Sequence, residues 1–264
     1  MIYVTGDCHG NFRRFQSDCF PEQANMTKDD SVIIAGDCGG VWFGDSRDDE
    51  TLDWLERLPF TLAFVCGNHE NYDALERYPV DDWHGGKVHR IRPHVLHLTR
   101  GQIFELEGCR FFTMGGAKSH DIEDGILEPD TSDFERRLTM LQRKPRARYR
   151  INHISWWAQE LPSDEEYAEA RRNLDAVSWA VDYIITHEPP ASLKDCLGVD
   201  VQQRLEIHTF FEDIIKQCQY RKWFFGKCHM DRFIPMKFYA MFEDVLPVES
   251  ENRRRSRKQA PPEE

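Results

Sequence analysis

Five short stretches of this chain share one design, and that design limits what the chain can fold into. They are "IYVTGDCHG" at 2–10, "SVIIAGDCGG" at 31–40, "TLAFVCGNHE" at 61–70, "VDYIITHEPP" at 181–190 and "KWFFGKCH" at 222–229. Each opens as a β-branched or aromatic run and ends in polar residues, four of them with a glycine at the break. Continuous apolar runs of this length are the pattern of strands buried on both faces. Helices are expected after the first three, at 11–20, 48–58 and 71–77. Strand–helix alternation argues for an α/β fold with parallel strands. In such sheets the ligand site lies beyond the carboxyl ends of the strands, which is where the polar clusters fall.

The middle of the chain reads differently. "KVHRIRP", "VLHLTRGQIFELEG" and "CRFFTMGGA" are short strands joined by turn residues, the pattern of an antiparallel meander. A charged helical stretch follows at 133–176, with Ser163 and Glu166 spaced as a capping box and Asp164 and Glu165 suited to a helix start. A further helix is expected at 200–218. Two sheets that each need cover give a sandwich with helices outside. Residues 1–247 are expected to form one domain with a helical insertion around 133–176, and 248–264 a disordered charged tail. Its basic run, like "RKPRARYR" at 143–150, reads as a solvated face.

Charge and cysteine content narrow the partners. The chain carries 34 Lys+Arg against 46 Asp+Glu, a formal net charge of -12. Such a surface repels nucleic acid and anionic membranes at long range, so neither is expected as a partner. No apolar run approaches the roughly 20 residues that span a bilayer. The start has no basic region or cleavage site of a signal peptide. The 8 Cys form no CxxC pair and are expected reduced, in a cytoplasmic protein.

The polar residues at the run ends are Asp7, His9, Asp37, Asn68, His69, His187 and His229. Side chains at i and i+2 of an extended segment point the same way, so Asp7 and His9 are expected to grip one ion together. Mixed nitrogen and oxygen donors suit Mn, Fe, Co, Ni or Zn. A carboxylate such as Asp37 can bridge two ions, and two ions can clamp a phosphoryl group during in-line attack. Taken singly, each residue has a plainer reading as turn former or satisfied histidine.

"GDCHG", "GDCGG", "GNHE", the "TH" of "ITHEPP" and "GKCH", in this order, resemble the motifs of the calcineurin-like metallophosphoesterases, over residues 1–247. The resemblance implies a four-layer αββα sandwich of two mixed sheets. It implies a first divalent ion on Asp7, His9, Asp37 and His229, and a second on Asp37, Asn68 and His187, with a hydroxide shared between them. His69 would stabilise transition-state charge or protonate the leaving oxygen. Asn11, at the start of the first expected helix, would meet a phosphate oxygen. The implied substrate is a small phosphomonoester or phosphodiester.

Two departures stand out. The Ser/Thr phosphoprotein phosphatases continue the second motif as Gly-Asp-x-Val-Asp-Arg-Gly, where this chain has Gly40 and Val41, which counts against that activity. The last motif usually reads Gly-His-x-His, and here its first histidine is Lys227. A protonated lysine cannot coordinate a metal, so the second site is expected to be weak, with Lys227 either a tolerated defect or a phosphate anchor. Cys228 is expected to point away. A degenerate member that binds a phosphorylated ligand or partner without turnover is the alternative function, and a nuclease a third. His84, His89, His94, His97 and His208 read as structural, His120 and His153 as loop residues able to approach the site. Trp156 and Trp157 read as packing.

Overall fold

All five polar-ended runs become strands in the computed structural model, which describes residues 1–198 and 205–249. The first half contains β1 (Ile2–Thr5), β2 (Ser31–Ile34), α1 (Asp49–Glu56), β3 (Thr61–Phe64), α2 (Tyr72–Leu75), β4 (Val80–Trp83), β5 (Gly86–Arg92) and β6 (Val95–Leu98). The second half opens with β7 (Gln102–Leu106) and β8 (Cys109–Met114), then β9 (Ile126–Leu127), α3 (Phe134–Arg143), β10 (Arg150–Ile151) and α4 (Asp164–Ala176). It closes with β11 (Tyr183–Thr186), α5 (Ala191–Leu197), α6 (Glu206–Gln217), β12 (Lys222–Phe225), β13 (Arg232–Ile234), β14 (Phe238–Ala240) and β15 (Leu246–Val248).

Two mixed sheets result. The first has the order β15-β1-β2-β3-β6-β5-β4, with β1, β2, β3 and β6 parallel. The second has the order β13-β14-β12-β11-β8-β7, with β8, β11, β12 and β14 parallel. Alternation along each strand builds the layers. Val4, Ile33 and Ala63 of the first sheet meet Phe111, Tyr183, Ile185 and Phe224 of the second in one core. The intervening Tyr3, Val32 and Leu62 face outward onto Leu52 and Leu55 of α1. On the far side, Phe112, Ile184 and Trp223 face Leu174 of α4 and Ile207, Phe210 and Ile214 of α6. Both faces of the central strands are therefore apolar, which is why their sequences run unbroken rather than alternating. The expected αββα sandwich is the observed fold.

Four expectations change. The helix expected at 11–20 is only a 3-10 turn, Arg13–Phe15. Its residues are engaged elsewhere: Asn11 Oδ1 accepts the Arg13 N–H at 3.1 Å, and the Arg14 guanidinium reaches Thr5 Oγ1 and Asp7 O, each at 2.7 Å. The meander is split, because β6 lies inside the first sheet, between β3 and β5, whereas β7 pairs antiparallel with β8 in the second. The insertion is only partly helical: β10 pairs with β9 between α3 and α4, although the Ser163–Glu166 capping box forms as read. Finally, Val248 is a buried strand residue paired with Ile2, so it does not belong to the disordered tail expected from 248. Residues 250–264 and 199–204, the latter including the first five residues of the helix expected at 200–218, lie outside the described residues.

The crossover between sheets is held by Arg100. Its buried guanidinium donates to Gly115 O (3.1 Å), Glu166 of α4 (2.9 Å), the Tyr72 hydroxyl (3.0 Å) and Gln159 O. Tyr72 in turn donates to Gly67 O, at the end of β3. Removing one member of such a buried charged network leaves its partners unpaired. Arg100→Leu should lower stability by about 3–5 kcal/mol, measured by urea unfolding. An unchanged midpoint would mean that the clip is not holding the two halves.

Candidate metal centre

Every strand that ends in a polar motif delivers it to one place. β1, β2 and β3 of the first sheet end beside β11 and β12 of the second. Hydrogen bonds lace these ends together: the Cys8 and His9 N–H groups donate to Asp37 O at 3.0 and 2.8 Å, and His187 Nδ1–H to Ala35 O at 2.8 Å. Close approach demands glycine at the breaks. A Cβ on Gly67 would lie 2.0 Å from Asp37 Oδ1, and one on Gly226 would lie 2.3 Å from Asp7 Oδ1.

Asp7 and Asp37 are each 1 % exposed and His187 is fully buried, while His9 and His229 stand at the open rim. Two groups of donors lie within 4.8 Å of one another: Asp7, His9 and His229; and Asp7, Asp37 and His187. His229 Nε2 is 3.0 Å from Asp7 Oδ2, His187 Nε2 is 3.3 Å from Asp37 Oδ2, and His9 Nε2 is 3.8 Å from the same Asp37 oxygen. Asp7 thus belongs to both groups, whereas the bridging role was expected of Asp37. The convergence of Asp7 and His9 also has another cause than the one expected. β1 ends at Thr5, and His9 sits at φ 48° in the left-handed region. Asp37 (φ 49°), Lys227 (φ 68°) and His229 (φ 46°) share that conformation, strain concentrated where the polar groups meet.

Electrostatics tie the cluster together. Burial works to raise the Asp7 and Asp37 carboxyls, but His187 and their other partners hold both well below the usual carboxylate range. Burial disfavours a charged His187, yet Asp37 and Asp7 lift it to about 9. The donor set fits a borderline divalent ion. Asp7 Oδ2 and His187 Nε2 are buried without any hydrogen bond, and donation from Nδ1 to Ala35 O makes Nε2 the His187 atom that an ion, displacing its proton, would take. Asn68 is placed differently from its expected ligand role. Its Oδ1 accepts a hydrogen bond from Lys227 Nζ, and its Nδ2 donates to Ser119 Oγ at 3.4 Å.

His69 lies beside this cluster, its ring 5.1 Å from that of His9 and its backbone N–H on Asp37 Oδ1 at 2.7 Å. Burial first, then Arg150 among its neighbours, lowers its pKa to about 4, against the pull of Asp37. Arg150 Nη2 is 3.5 Å from His69 Nε2 and 2.6 Å from Asp121. The expected solvated face at 143–150 is therefore wrong at its last residue: folding of the insertion carries Arg150 inward. Asn11 is exposed and engaged with Arg13, with no helix start to present to a phosphate. Cys228 points into the apolar core, and burial pushes its thiol up to about 12. Val41 is buried in the first core and Gly40 packs near Phe12, so no phosphate-binding arginine enters there. His153 pairs with Asp73 at 2.8 Å, His94 with Glu56, His208 with Glu188, and His89 with His97. Trp157 is packing, against Trp42.

Several positioning residues went unread. Glu70, the last letter of "GNHE", is fully buried and accepts the Cys38 N–H at 2.8 Å, which pins the Asp37 loop. Burial, then Asp37, raises its carboxyl to about 8. Its place in the motif was a usable signal. Arg14 and Ser119 had none, since each acts through contacts made only on folding.

The calcineurin-like phosphoesterase family description matches residues 1–212, and the chain belongs to that family, hydrolases of phosphate ester bonds. Among curated proteins it is similar to lariat debranching enzyme A of Xenopus laevis, 26% identical over 143 residues, covering 48% of this chain and 26% of the relative. It is also similar to the lariat debranching enzyme of Danio rerio, 22% identical over 148 residues, covering 48% and 24%. The match thus spans about a quarter of these relatives. Among the described residues no helix is long and apolar enough to cross a membrane.

Gly67→Ala should force Asp37 aside and weaken divalent-ion affinity by about 10- to 100-fold, the scale for disturbing the support of a ligand. Titration calorimetry with Mn on metal-depleted protein checks it, with circular dichroism to confirm folding. Wild-type affinity in the folded variant would contradict the placement of Asp37 in the centre.

Proposed function

We propose that this chain is a metal-dependent phosphoesterase that hydrolyses a small phosphomonoester or phosphodiester at the rim formed by His9, His69, Arg150 and His229. The observation that carries this reading is the pair of buried, unbonded donor atoms, Asp7 Oδ2 and His187 Nε2, in one cluster with Asp37. Asp7, His9, Asp37 and His229 would hold a divalent ion. When bound, such an ion lowers the pKa of water and neutralises developing phosphoryl charge.

The chain's own residues supply the rest. Asp121 holds the Arg150 guanidinium by hydrogen bonds from Nε and Nη2, which fixes its positive charge beside His69, where phosphoryl oxygens would sit. Arg150 replaces, from the insertion, the arginine that the second motif lacks. His69 is uncharged near neutrality. Its ring donates an N–H to the leaving oxygen, while Arg150 contributes the positive charge that an imidazolium would otherwise bring.

A phosphodiester within a nucleic acid is the second reading, prompted by relatives whose names place them on lariats. The net charge of -12 counts against it. Hydrolysis of p-nitrophenyl phosphate and its bis ester, with Mn and after chelation, tests the proposal. Turnover lost on chelation supports it. Bound metal with no turnover of either ester would favour a ligand-binding, degenerate member. RNA affinity that falls steeply with salt would favour the second reading.

His69→Ala should keep metal content near normal and lower the rate by about a hundredfold or more, measured as turnover alongside metal analysis. Loss of metal with no separate rate defect would make His69 a ligand instead.

A further inference from the structure

Lys227 is built into the centre rather than tolerated at its edge. Its backbone N–H donates to Asp7 Oδ1 at 3.0 Å. Its Nζ donates to Asn68 Oδ1 and to Lys118 O, the latter at 3.2 Å. Asn68 is itself fixed from behind. Its Nδ2 donates to Ser119 Oγ, and Ser119 donates to Glu160 from Oγ (2.6 Å) and from the backbone N–H (3.0 Å). Ser119 and Glu160 are buried, at 2 % and 3 % exposure. Glu160 ends a 3-10 turn, Ala158–Glu160, within the insertion. A carboxylate, a hydroxyl and an amide thus form one relay whose far end meets the lysine ammonium.

This arrangement conflicts with a second metal. The ion would need the Asn68 oxygen, which the ammonium occupies, and it would sit beside a cation. Beyond the carboxylates, which the first position already uses, His187 is the one other donor of the described cluster near it. Nothing about the lysine is left over as a defect, however. An ammonium has three N–H donors. Asn68 and Lys118 use two, and the third is free to meet a phosphoryl oxygen.

We propose that the Lys227 ammonium stands in for the second metal ion, so that the centre is mononuclear and the lysine supplies the second positive charge to the substrate phosphate. The Asn68–Ser119–Glu160 relay positions it. Substrates then need one ion and one fixed ammonium, which favours esters whose phosphoryl group can accept a hydrogen bond on one side and an ion on the other. The inference rests on the phosphoesterase reading above.

Metal-depleted wild-type protein titrated with Mn tests it directly, with binding counted by calorimetry and the spin state read by electron paramagnetic resonance. The expected result is one tightly bound Mn with an uncoupled six-line spectrum. Lys227→His should bind two, with an exchange-coupled spectrum. Lys227→Met, assayed at one equivalent of Mn, should turn over about a hundredfold more slowly. Two Mn of similar affinity in the wild type would overturn the proposal, whatever the variants do, and so would normal turnover in Lys227→Met. No Mn binding and no hydrolysis in any form would instead overturn the phosphoesterase reading.

Discussion

Two carboxylates buried side by side set the terms for the rest of this structure. Asp7 and Asp37 are almost wholly removed from water at the seam between two sheets. Burying even one unpaired charge is strongly unfavourable, and two of the same sign are worse. The fold answers with positive and hydrogen-bonding groups from every direction. His187 arrives from the second sheet, Lys227 and His229 from the neighbouring strand, and backbone N–H groups of His69 and Lys227 donate to the carboxylate oxygens. A divalent ion held there would complete the same balance. The αββα sandwich matters for function because it brings strand ends from two sheets to one point.

The identity of the compensating cations then decides the chemistry. At an effective dielectric constant of about 20, unit charges 4 Å apart interact by about 4 kcal/mol, and a divalent ion beside an ammonium by about twice that. A lysine bonded to Asn68 therefore weighs heavily against a second ion at that place. The segment between β8 and β11 contributes as much as the motifs do. Glu160 and Ser119 brace Asn68, and Arg150 with Asp121 faces His69. This segment thus lies against the residues of the candidate centre.

The strands and their polar ends were legible in the sequence because both signals are local. An unbroken apolar run followed by Gly and a carboxylate, amide or imidazole specifies a doubly buried strand with its functional group at the carboxyl end. The reason for convergence was not legible. Asp7 and His9 meet through a left-handed turn at His9, not through strand alternation. The missing helix at 11–20 shows the same limit, since Arg14 is drawn to Thr5 and Asp7 by contacts that no helical pattern records. Arg150 looked like one basic residue among several. Only the pairing of β10 with β9 and the ion pair to Asp121 separate it from its solvated neighbours.

The central claim is that the buried carboxylate pair holds one divalent ion and that Lys227 serves as the other cation. Anomalous diffraction from crystals grown with Mn would locate the ions directly. The account predicts a single strong peak among Asp7, His9, Asp37 and His229, with the Lys227 ammonium still on Asn68. A second peak of similar height between Asn68 and His187, with Lys227 swung away, would contradict it.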